Sequence, residues 1–350
     1  MRFAGVIKYF AAFTIPGCAF IALYFQGIWV FLTPVYAFLF LSAIEMILPL
    51  NTKNKSALEE ELSKKDPLYD LVLYLNVPVQ YAIVIYFLFT VTNQQLLWWE
   101  ILGMVISTGI CCGVIGINVA HELGHRKSKT ERILSKSLLL TSLYMHFIIE
   151  HNKGHHKRVS TDDDPSSARL NEPIYAFFFR TIIGSYVSAW HIQLKELKDN
   201  NHAFFSLQNE MGLFFLLQLA VLIFIFIIFS PITMLLFILA CMLGILLLES
   251  VNYIEHYGLR RKLAASGNYE RVQPWHSWNS DHVIGRLVLY ELTRHSDHHF
   301  MASRKYQILR HLDDAPQLPA GYPAMIILSL FPPLFFRIMN PRVEKVFLSH

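Results

Sequence analysis

The stretch EHNKGHHKRVSTDDDP, residues 150–165, sets His151, His155 and His156 beside a run of acids. Three other groups share this character. HELGH offers His121 and His125, NYIEHYG offers His256, and RHSDHH offers His295, His298 and His299. Nine of the 16 histidines therefore fall in four tight groups. Side chains three or four apart on a helix share a face, so each group can offer its imidazoles to one point. Unpaired imidazoles buried near lipid are costly, and coordination of a metal offsets that cost. No thiolates cluster with them, which disfavours copper(I) and iron–sulfur chemistry, while imidazole suits zinc, iron, copper and nickel alike. HExxH alone matches a zinc protease with Glu122 as base, but such a site uses three protein ligands. Nine donors suit two ions with four or five nitrogens each and open positions left for a small molecule. A nitrogen-rich pair of this kind fits dioxygen and a redox metal, which favours iron.

Acids accompany the histidines. Glu122, Glu150 and Glu255 each adjoin a candidate ligand and Asp297 lies between two. Each is a candidate acceptor for an outer imidazole N–H, or else a member of an ordinary surface ion pair. The run Asp162–Asp163–Asp164 reads as a cap or a partner for Arg158 and Arg169, not as catalytic. Arg294, Arg304 and Lys305 form either a docking face for an acidic electron carrier or a solvated basic face. His146, His191 and His276 stand alone and are left outside the ligand set.

The elements that position these groups are membrane helices. Of 350 residues, 54% are hydrophobic and 16% charged, where a soluble protein carries roughly a quarter charged; mean hydropathy is +0.37. Six apolar runs near the roughly 20 residues needed to cross a bilayer cover 6–25, 29–50, 71–92, 98–120, 212–230 and 232–250. The expected class is an all-α integral membrane protein with about six transmembrane helices and a histidine-rich site at one face. The first run contains Pro16 and no clear cleavage site, so it reads as a retained helix. Pro231 separates the last two. One membrane domain is expected over 1–350. Within it, 1–120 holds four spans, 121–211 is a histidine-rich interfacial segment, 212–250 holds two spans, and 251–350 completes the metal site.

Loops 51–68 and beyond 125 carry Lys53, Lys55, Lys64, Lys65, Arg126, Lys127 and Lys129, whereas 26–28 and 93–97 carry no Lys or Arg. The positive-inside rule puts both termini and all four histidine groups on the cytoplasmic side. The apolar segments 133–151 and 174–194, broken by Lys136, His146, Arg180 and His191, are expected at the interface; a single crossing would split the histidine groups between faces. A net charge of +4 gives no reason to expect nucleic acid. Cys18, Cys111, Cys112 and Cys241 lie in apolar runs without a CxxC, so no fused rubredoxin-like domain is expected.

HELGHR, EHNKGHHKRVSTDDDPSSAR, NYIEHYGL, and RHSDHH followed by RKYQ together resemble the membrane-bound, non-haem di-iron alkane 1-monooxygenases, relatives of xylene monooxygenases and fatty acid desaturases. The likeness extends through PQLPAGYPAMI (316–326). It departs at HHFMASRKYQ, where the family usually reads close to HHANPTRRYQ, and at NSDH (279–282) in place of NSNH. The resemblance implies two iron ions held by His121, His125, His151, His155, His156, His256, His295, His298 and His299, with no haem or flavin. It implies oxidation of medium-chain n-alkanes to primary alcohols by dioxygen, with electrons from rubredoxin and rubredoxin reductase, in a bacterial inner membrane whose lipid delivers the substrate. Hydroxylation of aromatic methyl groups and oxidation or desaturation of fatty acyl chains are the alternatives within this chemistry. A metal transporter would place its ligands midway along the spans, not at their ends.

Overall fold

The computed structural model describes residues 2–265 and 267–349, whose regular elements are helices, with two isolated bridges as the strand-like pairing among them. Six of the described helices are long and apolar enough to cross a membrane: α1 (Gly5–Phe25), α2 (Gly27–Ile47), α3 (Pro67–Asn93), α4 (Trp98–Gly124), α7 (Glu210–Ile228) and α8 (Pro231–His256). Between α4 and α7 lie the shorter α5 (Lys129–Leu140) and the long α6 (Ile174–Asp199), neither of which is among those six. The protein is an all-α integral membrane protein.

Local chemistry sets the helix starts. Asp66 accepts the Leu68 N–H at 3.0 Å ahead of Pro67, whose missing donor is harmless in a first turn. Ser230 accepts the Thr233 N–H at 3.0 Å, and Pro231 follows as the first residue of α8. The tight turn at Pro231 thus joins two full spans. Two helices run further than hydropathy indicates: α4 continues to Gly124 and α8 to His256, so His121 and His256 extend directly from membrane helices.

These two helices meet through glycine. A Cβ on Gly109 would lie 2.8 Å from the Ala240 carbonyl oxygen, and one on Gly244 2.6 Å from the Cys112 Cβ. Gly109 and Gly113 stand four apart and give α4 a small-residue face against α8. Replacing Gly113 or Gly244 by Val should overpack this contact, at a cost of about 1–3 kcal/mol. Because α4 and α8 carry histidines of different groups, metal content should fall together with the thermal midpoint. Thermal unfolding with metal analysis checks this; an unchanged midpoint would show that the helices tolerate separation.

Candidate metal centre

The nine histidines of the four motifs converge below the ends of α4 and α8 in two groups, and the motifs do not stay intact. His121, His125, His151, His156 and His298 form one group; His155, His256, His295 and His299 form the other. Within each, the facing ring nitrogens all lie within 4.8 Å of one another. The division of 151, 155 and 156 follows from backbone geometry. Glu150–His155 is a π-helical turn, in which residues five apart come into line, so His156 joins His151 and His155 turns away. On α9 (His295–Phe300), His295 and His299 at i, i+4 share one group and His298 faces the other. The expectation that each motif serves a single point is corrected accordingly.

The five-membered group is a closed ring of Nε2 atoms: His121 to His125 3.1 Å, His125 to His151 3.1 Å, His151 to His156 3.0 Å, His156 to His298 3.1 Å and His298 to His121 3.0 Å. Neutral imidazole nitrogens pair only as donor with acceptor. Donors and acceptors cannot alternate around a ring of five, so protons cannot satisfy it. A shared cation can. Two nitrogens at right angles around one ion, each about 2.1 Å away, stand about 3 Å apart. In the second group His155 and His299 approach to 3.2 Å and His256 and His295 to 3.1 Å.

Burial pushes the imidazoles of His151, His156, His295, His298 and His299 well down, neighbouring histidines push them further, and His125 falls to about 3. Neutral imidazole is the form that binds metal. His155 differs. Burial would lower it, but Asp164 outweighs that and raises it, for its Nδ1–H donates to Asp164 Oδ2 at 2.9 Å. Burial would push the Asp164 carboxyl up, but His155 and the Ser167 hydroxyl hold it at about 2. Asp164 therefore fixes the tautomer that turns the His155 Nε2 inward.

The four acids singled out by adjacency are placed otherwise. Glu122 pairs with Arg126 at 2.7 Å and accepts the Tyr306 N–H at 3.2 Å. Glu150 holds Arg158 and Ser188, each at 2.8 Å. Asp297 holds Arg304 and accepts the Arg310 N–H at 2.8 Å. These three brace the backbone around the histidines, and no outer imidazole N–H reaches them. Glu255 comes nearest, but its Oε2 lies 3.2 Å from the inward Nε2 of His295, while the Tyr322 hydroxyl donates to its Oε1 at 2.6 Å. It stands beside the four-nitrogen group, in contact with His295. Sequence reasoning missed Asp164; the one signal was its place nine residues after His155, in the same acid run as two residues that are exposed. His146, His191 and His276 lie outside both groups.

The basic trio is spent internally. Arg294 is buried, donating to the Leu309 carbonyl at 2.8 Å and facing Asp281 at 3.3 Å; Arg304 pairs with Asp297, and Lys305 with Asp70 at 2.8 Å. A polar basin of about 500 Å³ instead opens onto His125 and His156 and is lined by Arg126, Lys127, Arg132 and Lys153. On the membrane side lies an apolar slot of about 70 Å³ bounded by α1, α2, α4 and α8. It reaches Asn118, one turn before His121, Leu292, in the loop three residues before His295, and Tyr322, which holds Glu255.

A model of the fatty acid desaturase family matches residues 96–329. Alkane 1-monooxygenase of Acinetobacter baylyi is 38% identical over 310 residues, spanning 89% of this chain and 76% of the relative. Alkane 1-monooxygenase 1 of Alcanivorax borkumensis is 41% identical over 286 residues, spanning 81% and 70%. The chain belongs to the alkane 1-monooxygenase family. Among the wider relatives of that family, the hydroxylase component of a Pseudomonas putida xylene/toluene monooxygenase is 27% identical over 337 residues, 95% of this chain and 87% of the relative. Membership makes the chain a membrane oxidoreductase of alkane-hydroxylase type.

Asp164→Asn removes the acceptor that fixes His155 while keeping size. Metal affinity should fall about 10–100-fold, and the gap in melting temperature between metal-loaded and chelated protein should narrow. Metal titration with thermal unfolding measures both; an unaltered affinity would show that Asp164 only shapes the loop.

Proposed function

We propose that the protein hydroxylates the terminal carbon of medium-chain n-alkanes, with two iron ions in the histidine groups and electrons from reduced rubredoxin. One observation carries the reading: two groups of inward-facing imidazoles stand beside an apolar slot that reaches Asn118, three residues before His121, and Tyr322, which holds Glu255. The balance is R–CH₃ + O₂ + 2e⁻ + 2H⁺ → R–CH₂OH + H₂O. Iron bound by the two groups supplies the redox chemistry that activates dioxygen.

The protein supplies the rest. Imidazoles kept neutral by burial would hold the metals without compensating their charge, and Glu255 brings a carboxylate oxygen to 3.2 Å from the inward Nε2 of His295. Asn118, Leu292 and Tyr322 close the metal end of the slot, and Ile15, Ala37, Phe38 and Ile110 line it further along. Along α4 the lining runs back from Asn118 through Val114 and Gly113 to Ile110. Apolar walls hold the chain along most of its length. They discriminate between neighbouring lengths by only about 1–3 kcal/mol per methylene. An alkane dissolved in the bilayer enters without crossing water.

Reduced rubredoxin would reach the centre from the other side, through the basin where His125 and His156 are half-buried and Lys127, Arg132 and Lys153 are exposed. A basic rim of this kind steers an acidic carrier. The basic loops Lys53–Lys65 and Arg126–Lys129 support a cytoplasmic site in an inner membrane. The coverage of the xylene/toluene relative makes an aromatic methyl group the second substrate to try.

Octane and labelled dioxygen, with rubredoxin and its reductase, should give labelled 1-octanol, and His155→Ala should abolish it. Unchanged octane in the presence of iron-loaded protein would turn the assignment to xylene or acyl chains. The double variant Lys127→Glu, Arg132→Glu should raise the KM for rubredoxin at least severalfold, and more at low salt. Equal KM values at low and high salt would place the carrier elsewhere.

A further inference from the structure

The slot is not uniformly apolar. Among the described residues its lining has three polar side chains, Glu45, Asn118 and Tyr322, and the Tyr322 hydroxyl is committed to Glu255. Asn118 and Glu45 are 7% and 4% exposed. Asn118 Nδ2 has no hydrogen-bond partner, and neither has Glu45 Oε2; the other carboxylate oxygen, Oε1, accepts the Gly285 N–H at 2.7 Å. Each such orphan costs about 1–3 kcal/mol, and leucine at either position would avoid it.

The carboxyl has been given room. A Cβ on Gly285 would fall 2.8 Å from Glu45 Oε1, and one on Gly321 would collide with the carboxyl outright. Two glycines from separate segments thus make a seat for it. On α2, Ala37, Phe38, Leu41 and Glu45 follow one another along the slot-facing stripe, so Glu45 ends that stripe beside Gly321 and Tyr322. Asn118 lies one turn before His121. Both orphans belong to the metal end.

We propose that Asn118 and Glu45 form a hydroxyl-recognition site for primary alkanols, which rests on the alkane hydroxylation proposed above. An amide N–H offers a hydrogen and a carboxyl oxygen accepts one, and an alcohol oxygen both accepts and donates. An alkane satisfies neither group. A fatty acid carboxylate meets a second carboxyl in a buried, largely apolar slot, so the same residue selects against anionic acyl chains. The slot therefore takes the alcohol with its hydroxyl at the metal end and holds the product more firmly than the substrate.

The test uses the full-length, metal-loaded protein in lipid nanodiscs. Binding of labelled 1-octanol is measured at equilibrium without turnover, beside its inhibition constant against octane oxidation. Asn118→Leu and Glu45→Leu should each weaken 1-octanol three- to tenfold, with a far smaller change in the KM for octane. Glu45→Gln keeps an acceptor oxygen and should retain most of the affinity. Octanol affinity unchanged in both leucine variants overturns the site. So does parallel loss for octane and octanol with a lowered melting temperature, which would mark both groups as structural. Wild-type protein that binds 1-octanol yet leaves octane unoxidised would sink the reaction and leave the site standing.

Discussion

Ring nitrogens held about 3 Å apart in a closed circuit of five leave at least one neighbouring pair repelling in every arrangement of protons that neutral imidazole allows. Protonating more of them would add charge to a group cut off from water, and burial has already pushed these imidazoles away from the charged form. A cation at the centre is the one partner that satisfies all five at once. That constraint explains why so much of the surrounding structure is polar and yet closed. The neutral state of each imidazole must be kept and its inward nitrogen aimed.

The aim comes from two scales of structure. At the larger scale, α4 and α8 approach through Gly109, Gly113 and Gly244, and these helices carry His121 and His256. At the smaller scale, the π-helical turn at Glu150–His155 deals neighbouring histidines to different groups, and Asp164 locks His155. Around them, Glu122, Glu150 and Asp297 each pair with a nearby arginine and also accept from Tyr306, Ser188 and Arg310 respectively. Buried pairs of this kind contribute little net stability, but removing either partner would strand a charge. The centre is thus held by groups that do not touch it.

Much of this was legible in the residues. Long apolar runs announce the spans, and the spacing of the histidines sets them apart from the seven others. The ends of α4 and α8 were not legible from hydropathy, because His121 and His256 lower the local average where the helices continue. The division into five and four was hidden for a different reason: it depends on a π turn, and spacing rules assume the ordinary helical period. Adjacency in sequence misled for the acids. Residues next to one another on a helix point apart by about 100°, so Glu122 and Glu150 face arginines while the histidines beside them face inward. Arg294 looked like surface and is buried, because its guanidinium collects carbonyl oxygens from the loop at Asn51–Lys53 and from Leu309.

The central claim is that two metal sites exist with different donors, five nitrogens in one and four nitrogens beside the Glu255 carboxylate in the other. Iron analysis combined with Mössbauer spectroscopy of protein loaded with iron-57 tests it most directly. The account predicts two iron ions per chain in two distinguishable environments, one of which changes selectively in Glu255→Gln. One iron per chain, or a single environment untouched by that substitution, would contradict it.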